Sequence, residues 1–198
     1  LDVSGIGTAL RIQGNTAERS GGGVYAISAS SLVLSSGAHL NVINNTAETK
    51  NGGGVYLQDQ GTRLDAMDIG TQLVVQDNTA KQHGGGVSIR SNAVLRSTSP
   101  SLFRSNTAVN GNGGALAYDD VDGTENGQAN CVELSLNVTL DGNLNVDQNG
   151  NDRIGSAATE LRIFTIPNSP LSSINDRDKI VNKETTWCVP CGRYEFHA

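Results

Sequence analysis

The tripeptide Asn-Thr-Ala returns four times in this chain, and no other feature limits the possible folds as strongly. The copies begin at Asn15, Asn45, Asn78 and Asn106, so the spacings are 30, 33 and 28 residues. Glycine runs follow six or seven residues after each asparagine and begin at Gly21, Gly52, Gly84 and Gly113. A two-part motif that returns in register every 30 residues or so indicates a solenoid of stacked units.

Apolar residues alternate with polar ones on both sides of the motif, which is the pattern of a half-buried strand. After the glycines, the predicted inward pairs are Val24/Ala26, Val55/Leu57, Val87/Ile89 and Ala115/Ala117. Five and three residues before each asparagine stand Leu10/Ile12, Leu40/Val42, Leu73/Val75 and Ser101/Phe103. A third strand is predicted in each unit, within Ser31–Ser35, Thr62–Ile69 and Ala93–Thr98.

Three strands and three turns in one repeat predict one rung of a parallel β-helix, so the fold class is all-β with four to six rungs. Glycines allow turns with positive φ. The asparagines of successive rungs are expected to stack as a hydrogen-bonded ladder. A β-sandwich also has regular short strands, but it does not explain why the same motif returns in every unit.

The chain is predicted to have three parts. Residues 1–118 carry the regular rungs, and residues 119–166 form an irregular continuation or cap with strands at Cys131–Leu140 and Glu160–Ile166. Residues 167–198 begin with a linker containing Pro167 and Pro170 and lead into a cysteine-rich module. The chain starts at Leu1 without a signal-peptide pattern, and we expect it to be a piece of a longer protein.

Composition narrows the possible partners. The net charge of −6 opposes nucleic-acid binding, which needs a basic surface. No apolar run approaches the roughly 18 residues of a membrane-spanning helix, so no membrane insertion by this segment is expected. Only 36% of the residues are apolar and 4% aromatic, which is little bulk for a close-packed α/β core.

The repeated pairs resemble the GGA(I/L/V) and FxxN repeats of the chlamydial polymorphic outer-membrane proteins. The fourth copy is the most similar, with Phe103-Arg104-Ser105-Asn106 followed by Gly113-Gly114-Ala115-Leu116. The resemblance covers about residues 1 to 118 and implies a right-handed parallel β-helix on a cell surface that acts in adhesion or as an autotransporter passenger. Similar repeats occur in large surface proteins of protists and algae.

A second resemblance lies near the C-terminal end of the sequence. The segment Trp187–Tyr194 is similar to the C-x-x-C-x-x-G-x-Y start of EGF-like and ephrin-receptor-like modules, although Gly192 follows Cys191 directly. Such modules belong to eukaryotic extracellular proteins. In them the cysteines pair with partners outside the motif, so Cys188 or Cys191 is expected to bond Cys131 or a residue beyond Ala198.

The sequence alone allows three interpretations of the cysteines. A C-x-x-C pair is a redox site, half of a zinc site or part of a disulfide framework. The chain has no second C-x-x-C, His83 and His197 lack ligand spacing, and no βαβ pattern surrounds the pair. Structural disulfides that involve Cys131, Cys188 and Cys191 in an oxidising compartment are therefore the favoured reading.

One segment has ligand spacing similar to an EF-hand loop. Its candidate calcium ligands are Asp141, Asn143, Asn145, Asp147 and Asp152. Val146 stands where such a loop needs glycine, and Asp152 stands where it needs a bidentate glutamate. The alternative is a strand with Leu140, Leu144 and Val146 inward, and calcium is the one cofactor considered.

Many β-helices cleave polysaccharides with carboxylates that converge on a groove. The acidic cluster here, Asp119-Asp120-Val121-Asp122, is predicted to be a solvated loop after the fourth glycine strand, because acidic residues do not recur in neighbouring rungs. The sequence therefore predicts no catalytic residues and no enzyme.

Two further features concern the surface. Tyr25 and Tyr56 occupy equivalent outward positions and are predicted to stack as a strip, either as ordinary packing or as a surface for sugar rings or a protein. Asn-x-Thr sequons occur at Asn44 and Asn137. Asn137 is the preferred acceptor, since Asn44 adjoins the repeat turn and is expected to be occluded.

Together these features predict a rigid extracellular or cell-surface rod that takes part in adhesion or in a surface appendage. Its expected partners are other surface or matrix proteins, glycans, or further copies that associate end to end. The alternative function is a carbohydrate-binding or carbohydrate-cleaving β-helix.

Overall fold

Parallel strands that return once per repeat build all of the described structure except its last strand. The computed structural model describes residues 1–97, 99–111, 113–119, 130–134, 138–141, 143–145, 161–164 and 185–189. These residues form four sheets, which we call A to D, and no helix. Each turn of the chain adds one strand to every sheet, so the predicted β-solenoid is confirmed, with about four turns.

The strand bounds follow the order A, B, C, D in every turn. Sheet A holds β1 (Asp2–Ser4), β5 (Ser31–Ser35), β9 (Arg63–Ala66), β13 (Val94–Ser97), β17 (Asn130–Leu134) and β21 (Thr185–Val189). Sheet B holds β2 (Ala9–Gln13), β6 (His39–Ile43), β10 (Gln72–Gln76), β14 (Ser101–Arg104) and β18 (Val138–Asp141). Sheet C holds β3 (Thr16–Ala17), β7 (Thr46–Ala47), β11 (Thr79–Ala80), β15 (Thr107–Ala108) and β19 (Leu144–Asn145). Sheet D holds β4 (Val24–Ala26), β8 (Val55–Gln58), β12 (Val87–Arg90), β16 (Leu116–Asp119) and β20 (Leu161–Phe164).

The number of strands per turn differs from the prediction. The sequence predicts three, and the described turns have four, because each Thr-Ala pair is itself a short strand in sheet C. Two residues are too few to show an alternating pattern, so periodicity alone does not find this strand.

The core consists of the inward side chains of sheets A, B and D. One column in sheet B runs from Ile12 through Val42 and Val75 to Phe103, and the last three are fully buried. Because neighbouring turns pair residue for residue, each apolar side chain packs on its equivalent in the next turn. A single turn therefore cannot bury its own inward face.

The fourth repeat requires a correction of one residue. The prediction that Ala115 stacks beside Val87 is wrong, because Leu116 pairs with Val87 and is fully buried. The backbone N–H of Val87 donates to the Ala115 carbonyl, as that of Val55 donates to the carbonyl of Gly86, so Ala115 takes the place of the third glycine. Leu116 therefore faces inward. Ala117, also predicted to face inward, takes the outward position beside Ser88 that the sequence predicts for Leu116.

The asparagine ladder is present and fully buried from the second turn onward. Asn45, Asn78, Asn106 and Asn143 have exposed fractions of 1% or less. The Asn78 side chain donates from Nδ2 to the Val42 carbonyl at 2.9 Å and to Asn106 Oδ1 at 3.0 Å. Its Oδ1 accepts from the backbone N–H and the Nδ2 of Asn45, at 2.9 and 3.0 Å. Every hydrogen-bonding group of the buried amide is therefore satisfied inside the solenoid.

The residue before each ladder asparagine bends the chain from sheet B into sheet C. Gly14, Asn44, Asp77 and Ser105 all have positive φ there, between 50° and 68°. Asparagine and aspartate tolerate this left-handed conformation better than most residues. The turn thus exposes the Asn44 side chain, so the expectation that Asn44 is occluded is wrong.

Candidate functional site

The outer face of sheet D carries the strongest candidate site, which we call the tyrosine strip and define as Tyr25 and Tyr56. The two residues pair directly between β4 and β8. Their rings stack with centroids 5.3 Å apart and planes within 8° of parallel. Tyr25 is 56% exposed, whereas Tyr56 is 4% exposed. The Tyr25 ring therefore offers a flat aromatic surface to solvent, and the Tyr56 ring packs beneath it.

Polar side chains hold Tyr56 in place. The Tyr56 hydroxyl donates a hydrogen bond to Gln58 Oε1, and the Arg90 guanidinium donates one to the hydroxyl oxygen. Gln58 Nε2 donates to Asp59 Oδ1 at 2.9 Å, and Asp59 Oδ2 accepts from the backbone N–H of Ser28 at 3.1 Å. Three successive turns of the solenoid are therefore joined around the tyrosine strip.

Sequence reasoning missed Gln58, Asp59 and Arg90. Gln58 lies two residues after Tyr56 on the same strand face, and Arg90 pairs with Gln58 in the next turn. Aligning the second and third repeats on their glycine runs puts Arg90 at the same position as Gln58, and this alignment is the sequence signal that could have placed Arg90 beside the site. Ser88 takes the position of the tyrosines in the third turn and is buried.

Burial of the ring raises the pKa of the Tyr56 phenol above 10.0. The Arg90 hydrogen bond and charge lower the pKa by less than burial raises it, and Tyr25 and Asp59 add smaller upward contributions. A phenol with a raised pKa keeps its proton in the folded state after the unfolded chain has lost it. Its stabilising contribution is therefore complete below about pH 10 and is lost as the pH rises through the folded-state pKa.

This shift predicts an alkaline loss of stability that belongs to Tyr56. Between pH 9 and pH 11, the free energy of unfolding of the wild-type protein is expected to fall more than that of Tyr56→Phe, which cannot ionise there. Urea unfolding at several pH values measures both. The other three tyrosines are common to the two proteins, so they cancel in the comparison. Parallel pH profiles for the two proteins contradict the assignment.

A second surface feature lies next to sheet C. A groove of about 540 Å³ is lined by Glu48, Thr49, Lys81, Gln82, His83 and Asn110. The backbone N–H of His83 donates to Asn51 Oδ1 at 3.1 Å. The groove combines one acidic and one basic side chain with amides, so its charge does not select for either anions or cations.

The candidate calcium ligands fall into two groups. The Asn143 amide belongs to the ladder, since its Oδ1 accepts from the backbone N–H and Nδ2 of Asn106 and its Nδ2 donates to the Phe103 carbonyl. The other four candidates, Asp141, Asn145, Asp147 and Asp152, have side chains outside the described part. Among the described residues, no cluster of His, Cys, Asp and Glu is suited to hold a metal ion. The calcium interpretation of this segment therefore stays a prediction.

The remaining predicted residues are only partly placed. Asp119 occupies the register position beside Arg90, while Asp120 and Asp122 lie outside the described residues. Asn137 and Cys191 also lie outside them. Cys131 and Cys188 occupy strands β17 and β21. Within the described segments, no helix is long and apolar enough to cross a membrane.

Comparison with known proteins gives no relative. No family model, no curated protein and no solved structure matches the chain. The fold thus defines the class of protein, a parallel β-solenoid.

Proposed function

We propose that this chain is a structural segment of an extracellular or cell-surface protein, a stiff rod that takes part in adhesion or in a surface appendage. The supporting observation is the continuous asparagine ladder, which joins five successive turns from Asn15 to Asn143. A buried ladder of this kind resists bending between turns, because tilting one turn breaks hydrogen bonds that no water replaces. Each turn adds about 4.8 Å of length.

The outer surface supports a role in presentation. Val33, Asp65 and Arg96 follow one another in the same outward column of sheet A, so neighbouring turns carry unrelated chemistry at equivalent positions. The inward columns of the described turns are apolar except for the buried serines Ser97 and Ser101, so the residues that hold the rod together differ in kind from those that vary on its surface. A rod of this construction presents binding groups at fixed spacing without catalysis.

Three features support the extracellular placement. Cysteine pairs outside a metal or redox context are typical of oxidising compartments. The repeats resemble those of chlamydial surface proteins, and the exposed Asn44 stands in a sequon. Neighbouring surface proteins, matrix proteins, glycans or further copies of the rod are the proposed partners.

Labelling of intact cells tests the placement. Antibodies raised against residues 1–97 are expected to stain intact cells of the source organism as strongly as permeabilised cells. Staining that requires permeabilisation contradicts the proposal. Adhesion is tested with beads that carry the native protein, which should bind to host or neighbouring cells more than beads that carry the urea-unfolded protein do.

The tyrosine strip favours glycan binding as a second candidate function. Sugar rings stack on exposed aromatic faces, and the exposed ring of Tyr25 is backed by the ring of Tyr56, whose hydroxyl is hydrogen-bonded to Gln58. Binding to a panel of immobilised glycans tests the strip. Tyr25→Phe is expected to retain binding because it keeps the ring, and Tyr25→Ala is expected to lose at least tenfold in affinity. Equal binding by the wild type and Tyr25→Ala contradicts this function.

A further inference from the structure

The last strand of sheet A breaks the rule that all other strand pairs follow. β21 runs antiparallel to β17, whereas every other described pair in the four sheets is parallel. The pairing covers five residues on each strand, Asn130–Leu134 against Thr185–Val189. β21 therefore lies at the end of sheet A and covers the edge that β17 would otherwise expose.

The register of this antiparallel pair places two of the three cysteines opposite each other. Cys131 pairs with Cys188, and the neighbouring pair is Val132 with Trp187. Side chains of directly opposed residues lie on the same face of the sheet, so a shift of one residue would separate the two cysteines. The chain has three cysteines in 198 residues, and the register alone selects this pair from the three possible ones.

The distances of a β-ladder match those of a disulfide. Directly opposed residues of an antiparallel pair have Cα atoms about 4.5 or 5.5 Å apart. A disulfide requires Cα atoms about 4.4 to 6.8 Å apart. The opposed position therefore allows a bond without movement of the backbone.

We propose that Cys131 and Cys188 form a disulfide bond that fixes β21 on β17 as the covering strand of sheet A. Each cysteine thiol loses one proton and together they lose two electrons as the S–S bond forms. The oxidant is a small-molecule or protein disulfide, such as oxidised glutathione, which takes up the electrons and protons to become two thiols. Cys191 takes no part in this bond.

The bond explains how a strand of only five residues, far along the chain from β17, keeps its place. Five antiparallel residue pairs form a weak attachment, because their hydrogen bonds compete with water. A covalent bond at the second of the five pairs fixes the register directly. It also joins the start of the predicted cysteine-rich module to the solenoid, independently of which partners the rod binds.

Peptide mapping of the 198-residue chain tests the pairing. The protein is refolded in a buffer of reduced and oxidised glutathione, free thiols are alkylated at acidic pH, and the protein is digested without reduction. Mass spectrometry is expected to find one peptide that links Cys131 to Cys188, with Cys191 alkylated. Three alkylated cysteines, a bond between Cys188 and Cys191, or a bond between Cys131 and Cys191 would each overturn the proposal.

Two matched variants identify the bonded cysteine of the C-x-x-C pair. Cys191→Ser is expected to form the linked peptide in the same yield as the wild type, and Cys188→Ser is expected to lose it. Formation of the link in Cys188→Ser contradicts the register. Because refolding supplies the oxidant, this test is independent of whether the protein is extracellular, which the cell-labelling experiment decides.

Discussion

Replacing Asn78 by alanine is expected to destabilise the protein by about 4 kcal/mol. Asn78 lies at the centre of the ladder with no exposed surface. The substitution removes the acceptor for the backbone N–H and Nδ2 of Asn45 and the donor to the Val42 carbonyl. Three buried polar groups then each lose a hydrogen bond, and each loss costs about 1–3 kcal/mol, with partial relief because Asn45 Nδ2 still donates to the Ile12 carbonyl.

Asn15→Ala is the matched control for this prediction. Asn15 occupies the same position of the repeat, but it is exposed, and its amide makes one side-chain hydrogen bond, from Nδ2 to Asn45 Oδ1. Its loss is expected to cost about 1 kcal/mol or less, since water reaches the groups that remain. Urea unfolding followed by circular dichroism measures both variants. Equal destabilisation of the two proteins would mean that the ladder contributes nothing beyond an exposed hydrogen bond.

The second large effect is expected at the middle glycine of each glycine run. An added Cβ at Gly53 would lie 2.4 Å from the carbonyl oxygen of Gly85 and 2.4 Å from the Thr79 carbonyl carbon. Gly22 and Gly85 meet the backbone of the following turn at similarly short distances. Gly53→Ala must therefore push two neighbouring turns apart, and we expect a loss of roughly 3 kcal/mol of stability.

Gly14→Asn separates this packing effect from the general cost of replacing a glycine. Gly14 has φ of +68° and nothing within 4 Å of an added Cβ, and the next turn already has asparagine at this position, with φ of +54°. Its expected cost is about 1 kcal/mol or less, because asparagine tolerates the left-handed region. The midpoints of urea unfolding compare the two variants. A Gly53→Ala protein as stable as Gly14→Asn would show that the turns are not in the close contact described.

Local sequence determined the class of fold because a solenoid repeats the same short-range chemistry. The alternation around Leu40 and Val42, the glycines that start at Gly52 and the ladder Asn45 each recur at the repeat spacing, and identical units can satisfy one another only by stacking in register. The stacking of Tyr25 on Tyr56 follows from the same argument, since equivalent positions of neighbouring turns become neighbours in space.

Only the tertiary structure decided where the repeats deviate from one another. The sequence around Asn143 has no Asn-Thr-Ala and allows a calcium-binding interpretation. Asn143 nevertheless continues the ladder, because the fold brings its amide within hydrogen-bonding distance of Asn106 and the Phe103 carbonyl in the preceding turn. The alignment of Ala115 with the third glycine depends on hydrogen bonds between turns, which two adjacent glycines in the sequence do not specify. The opposition of Cys131 and Cys188 depends on a strand that reverses direction, and a reversal between distant segments leaves no local pattern in the sequence. Contacts that repeat at a fixed spacing can therefore be predicted from the sequence. Pairings between unlike, distant segments cannot, because they are set by the packing of the folded chain.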